Sequence, residues 1–199
     1  MAADAIRKYT ESHGYSCDIE KIALEGEGRI TERVDLLWKL LLNWMEEIRK
    51  ADFVMFACHS QGVPVTIMLV AKLIQFGCLD GKRVGICAMA GVNLGPFPDY
   101  RSRWISGSAG ELFEFALPFS KVSKEYEAAL KCALEFGVRI SYIGSIDDQL
   151  VSLEVSTYID IQASIKLLNR VQSSLFSPVA HPYVYRAVFV DGRVHAPSL

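Results

Sequence analysis

The sequence predicts an α/β fold, a mostly parallel sheet flanked by helices, and three observations carry that prediction. Short apolar runs alternate with longer amphipathic ones along most of the chain. The runs FVMFAC at 53–58 and VGICAMA at 84–90 are continuously apolar rather than alternating, which marks strands covered on both faces. Helical patterns separate these runs, as crossovers between parallel strands require.

Residues 3–12 read as a short helix. Ile19 to Leu24 (IEKIAL) reads as a strand, ended by the loop Gly26-Glu27-Gly28. A helix is expected to start at Thr31, a side chain suited to the N-cap, with Glu32 in the first turn. Its apolar positions Val34, Leu37, Trp38, Leu41, Met45 and Ile48 keep the spacing of one helical face. After the strand at 52–58 comes His59-Ser60-Gln61-Gly62, then an apolar helix from Val63 to Phe76. Pro64 is tolerated there because a first-turn residue has no helical use for its N–H. Gly77 stops the helix. Arg83–Ala90 is the next strand. Residues 92–125, with Gly95-Pro96-Phe97-Pro98 and a Ser/Gly cluster, break the pattern and read as an excursion from the sheet. The beat resumes with a helix at 123–136, a strand at 138–144, a helix at about 156–173 and a strand at 183–190.

The chain has 199 residues, 51% hydrophobic and 22% charged, enough apolar material for one core and a single domain spanning 1–199. Its 21 basic and 23 acidic residues give a net charge of -2 without long runs of either sign. No nucleic-acid partner is expected from such a surface. No apolar stretch reaches the roughly 18 residues of a membrane span, and MAADAIRKYTESHG has no signal-peptide core. Five cysteines, none in a CxxC pair, read as free thiols in a reducing, cytoplasmic setting rather than disulfides or a metal site.

The sharpest chemical signal is the junction 58–62. A buried strand, then Cys-His-Ser-Gln-Gly, then a helix is the context of a nucleophile elbow. The turn is so tight that positions two before and two after the serine, Cys58 and Gly62, are expected to need small residues. It would lift Ser60 Oγ clear of the sheet and leave the Gln61 N–H at the helix start, able to donate to an oxyanion. The bland alternative is a serine at an ordinary βα turn. The strand VRISYIG ends in Ser145-Ile146-Asp147-Asp148, and carboxylates just past a strand's C-terminal end sit where open α/β sheets keep their sites. Asp147 is the candidate acid and Asp148 the fallback, against the common use of Asp to begin a turn. A base must follow the acid and the last strand, which selects His195 over His181; His59 reads as structural or pocket-lining. No cofactor or metal is expected. Gly26-Glu27-Gly28 lacks the third glycine of a dinucleotide loop.

The segments ACHSQG at 57–62, AMAGVNLGPFP at 88–98, ELFEF at 111–115, GSIDDQLVSLE at 144–154 and HPYVYRAVFVDG at 181–192 resemble the α/β-hydrolase superfamily. More narrowly, they resemble a fungal, lipase- and esterase-like branch. The resemblance covers the chain from about residue 17 onward. It implies Ser60 as nucleophile, Asp147 as acid, Gln61 N–H as half of an oxyanion hole, and 92–125 as a lid over an acyl pocket. It also implies strands ahead of the helix at 3–12 and a closing C-terminal helix, so this chain is expected to hold an incomplete domain. Open sheet edges would then invite self-association. Two functions follow as expectations. One is a serine hydrolase acting on a lipophilic acyl ester, a small-molecule substrate; the other is a catalytically incomplete hydrolase-fold binding module.

Overall fold

A computed structural model describes residues 2–95, 107–145, 148, 151 and 184–189. Four parallel strands form one sheet: β1 (Phe53–His59), β2 (Arg83–Met89), β3 (Arg139–Ser145) and β4 (Val184–Phe189). Their spatial order is their chain order, with His59, Met89, Ile143 and Ala187 in one row. All four strands therefore finish on the same edge of the sheet.

The helices are α1 (Ala2–Ser12), α2 (Ile30–Leu41), α3 (Met45–Lys50), α4 (Gly62–Gln75) and α5 (Lys121–Phe136). A 3-10 turn at Leu42–Trp44 separates α2 from α3 without losing the apolar stripe, since Val34, Leu37, Leu41 and Ile48 are all buried. Helix α4 is the crossover between β1 and β2, and it packs against both α2 and α5. Ser120 caps α5 by accepting from the Ser123 N–H at 3.1 Å, and Gly137 ends it at φ 94°, a left-handed turn that glycine adopts without steric cost.

The core lies on one face of the sheet. Cys58, Val84, Ile86, Ala88, Ile140 and Tyr142 are buried there, along with the inward side chains of α2, α4 and α5. The other face is open among the described residues: Phe53 and Met55 are 52% and 46% exposed.

Two local expectations fail. Residues 19–24 form no strand. Ile22 and Leu24 pack on the core, but the burial over 19–24 does not keep a strict alternation, and the segment has no hydrogen-bonded strand neighbour among the described residues. Thr31 is not the N-cap of α2; the helix begins at Ile30 with Arg29 as its cap residue. The orphan N–H groups are met by carboxylates instead. Glu32 Oε2 accepts from Arg29 N at 3.0 Å, and Glu111 Oε2 accepts from Ile30 N at 2.7 Å. A carboxylate at that end also meets the positive pole of the helix dipole.

The excursion between β2 and α5 contains a 3-10 segment, Gly107–Ala116, and no strand among its described residues. Leu112 and Phe115 from this segment are core residues, 0% and 4% exposed. Residues 96–106, with Phe97 and Trp104, lie outside the described residues, as does the helix expected at 156–173.

Candidate active site

Strand β1 ends at His59 and α4 begins at Gly62, so only Ser60 and Gln61 make the turn. So short a reversal forces one residue into the left-handed region, and Ser60 takes it with φ 53°. For a residue with a Cβ that conformation costs on the order of 1–3 kcal/mol, and it persists because both ends are held. Ser60 N–H donates to Met89 O on β2 at 2.9 Å, and Ser60 O accepts from Val63 N at 3.1 Å. The elbow expected at this junction is present in backbone form. Cys58 is buried beneath it, and burial pushes its thiol up to about 11. The predicted size limit is looser than expected: a Cβ on Gly62 would meet Cys58 Cβ at 3.8 Å, an ordinary contact.

Gln61 occupies the N-cap position of α4 with helical φ and ψ, -60° and -23°. Its N–H has no hydrogen-bond partner among the described residues, as the first amides of a helix do not. The helix dipole adds positive potential at the same place. A developing oxyanion next to Ser60 Oγ would find this donor without a competing acceptor. The Gln61 side chain is also held. Its Oε1 accepts from Arg33 Nη1 of α2 at 3.2 Å, and burial lowers the pKa of that guanidinium. Sequence reasoning missed Arg33, because nothing local links a residue in one helix to a turn 28 positions away.

The remaining predicted groups divide. Asp148 is described, and its Oδ1 accepts from Val151 N at 3.0 Å while its own N–H donates to Ser145 O at 3.4 Å. That carboxylate is engaged in the turn after β3, the bland role for an aspartate there. Asp147, His181 and His195 lie outside the described residues. His59 is exposed and lines a groove beside β1. No group of three His, Cys, Asp or Glu able to hold a metal ion occurs among the described residues. Among those residues, too, no helix is long and apolar enough to cross a membrane.

Beside the elbow lies a second strained turn. Ala90, just past β2, has φ 46°, and its N–H donates to Ile143 O on β3 at 2.7 Å. Here the chain continues into Gly91 and the buried Asn93, whose Oδ1 accepts from Tyr126 OH at 2.9 Å.

A parallel sheet in chain order, with a strained serine between a strand and a helix whose first N–H groups face the strand ends, defines a protein of α/β-hydrolase type. The chain matches the family model of the YMC0/YMC35 alpha/beta hydrolase domain over residues 1–167 and again over 163–199, and it belongs to that family. No curated protein matches it.

Proposed function

We propose that this chain is a serine hydrolase that cleaves carboxylic acyl esters, with Ser60 as nucleophile. The observation that carries the reading is the left-handed Ser60 beside the unpartnered Gln61 N–H at the start of α4. In the proposed reaction Ser60 Oγ attacks the ester carbonyl as His195 takes its proton. The tetrahedral oxyanion accepts from Gln61 N–H. Collapse expels the alcohol, which receives the proton from the imidazole, and water then hydrolyses the acyl-enzyme by the same steps in reverse order. Asp147 orients and charge-stabilises the histidine. The topology favours this assignment, because Asp147 follows β3 and His195 follows β4 in a sheet whose strands all end on the Ser60 edge. Lipophilic acyl groups are the proposed substrates, with the excursion at 92–125 as the lid. The five free thiols support a cytoplasmic setting.

A second reading, a binding module on the hydrolase scaffold, draws on one observation. Cys58, larger than the usual glycine, holds the position two before Ser60 and is buried beneath the turn. Fluorophosphonate labelling of the chain and of Ser60→Ala decides between them. Expected is one adduct, on Ser60, lost completely in the variant while its circular dichroism is unchanged. A folded wild-type chain that takes no label would favour the binding module.

A further inference from the structure

The donor assigned to the oxyanion is a main-chain group, so its aim is set by the peptide unit between Ser60 and Gln61. That unit belongs to a strained turn, with Ser60 at φ 53°, and a left-handed residue with a Cβ relaxes where its neighbours let it. Two bonds resist relaxation at Ser60 itself. Its N–H donates to Met89 O at 2.9 Å, and its O accepts from Val63 N at 3.1 Å. At Gln61 a further hold comes from outside the turn and outside α4: the side-chain Oε1 accepts from Arg33 Nη1 on α2 at 3.2 Å.

Arg33 is itself firmly placed. It is the fourth residue of α2, its N–H donates to Arg29 O at 2.9 Å, and Val34 and Leu37 next to it on the helix are buried. The start of that helix is tied to the segment between β2 and α5 through Glu111 Oε2, which accepts from Ile30 N at 2.7 Å. Stability does not account for the guanidinium. It is half-buried, its Nε is buried without a hydrogen-bond partner, and no carboxylate pairs with it among the described residues. Holding a charge out of water against one neutral amide is unfavourable for folding, and such costs persist where a site uses the group.

We propose, building on the serine-hydrolase reading, that Arg33 is a positioning residue for that reaction: it pins the Gln61 side chain to α2 and so keeps the Gln61 N–H aimed at the oxyanion. The bond joins residues 28 positions apart, so the aim of the donor depends on how α2 packs against α4 as well as on the turn. A displacement of about 1 Å in a catalytic group costs on the order of a hundredfold in rate, and a donor that wavers loses part of that. Acting through Gln61, Arg33 governs the bond-making step and leaves affinity for the acyl compound alone.

The test is the concentration dependence of fluorophosphonate labelling on the 199-residue chain, which separates the limiting rate of Ser60 phosphonylation from the half-saturating concentration. Arg33→Met keeps the apolar stem and removes the donor; it is expected to lower the limiting rate about tenfold with half-saturation unchanged. Gln61→Met keeps the main-chain N–H, removes the acceptor and is expected to give the same loss, and it carries the test alone if Arg33→Met does not fold. The double variant is expected to be no slower than either single one, since all three break one contact. Arg33→Lys retains a charged donor and is expected to recover to within about threefold of wild type. Wild-type limiting rates in both single variants overturn the proposal and leave Ser60 standing as nucleophile. Losses that multiply in the double variant also overturn it, because the two residues would then act independently, and so does a loss of affinity without a loss of rate. A folded wild-type chain that takes no label removes the hydrolase reading and the role of Arg33 together.

Discussion

The turn after β1 and the turn after β2 solve the same problem with different side chains. Each follows a parallel strand, each puts a residue with a Cβ into the left-handed region (Ser60 at φ 53°, Ala90 at φ 46°), and each donates its N–H to the next strand. Beyond that they part. The first turn opens at once into α4 and leaves Ser60 half-buried with a helix N-terminus beside it. The second is sealed: a Cβ on Gly91 would sit 2.8 Å from Val63 Cγ1 and Asn93 Nδ2, and Asn93 is 1% exposed. Strain alone is therefore no mark of a nucleophile. What separates the two corners is a hydroxyl, and space in front of it.

That contrast can be broken most sharply at the glycines. Gly91→Ala has no room to relax and is expected to cost about 2–3 kcal/mol, read as a fall in urea midpoint. Gly62→Ala meets only Cys58 Cβ at 3.8 Å and sits in the first turn of a helix, so stability is expected to hold or rise by up to about 1 kcal/mol. Equal losses in the two variants would erase the distinction between a sealed corner and an open one.

Tyr126→Phe removes the donor to Asn93 Oδ1 and is expected to cost about 1 kcal/mol, with no change in fluorophosphonate labelling. Ala90→Gly relieves the left-handed φ and is expected to gain up to about 1 kcal/mol in the same unfolding assay; a loss would show that Ala90 is not strained. The smallest effect belongs to the thiol under the elbow. With its pKa pushed up from 9.0 to about 11, Cys58 stays protonated in the folded chain, so at pH 8 iodoacetamide should modify exposed Cys17 first. Because the folded state holds that proton more tightly, its contribution to stability is full below pH 9 and lost as pH rises toward 11. Urea midpoints that stay flat across that window in wild type and fall in Cys58→Ala would contradict this.

The sequence makes local features legible and distant ones opaque. Continuous apolarity announced β1 and β2, and the small-residue turn at 58–62 announced the elbow before any φ angle was known. The strand expected at Ile19–Leu24 lacks a hydrogen-bonded partner among the described residues, and no window of six residues can supply one. The start of α2 was misplaced because one of its capping groups, Glu111, comes from 81 positions downstream. Ala90 was invisible for another reason: alanine has no preference for left-handed φ, so nothing in its identity signals the corner it makes. The same holds for Arg33, whose contact with Gln61 exists only once α2 and α4 are packed.

The agreement between strand order and chain order has a kinetic side. Pairing Phe53 with Arg83 closes a much shorter loop than pairing Gly85 with Arg139 or Ile140 with Val184. Loop closure is the entropic toll on early folding, and short loops cross it first. The unit β1–α4–β2 is therefore the natural nucleus, with apolar α4 as its crossover, packed on β1. Ser60 sits inside that nucleus, so its strained turn forms early and everything added later is built around it.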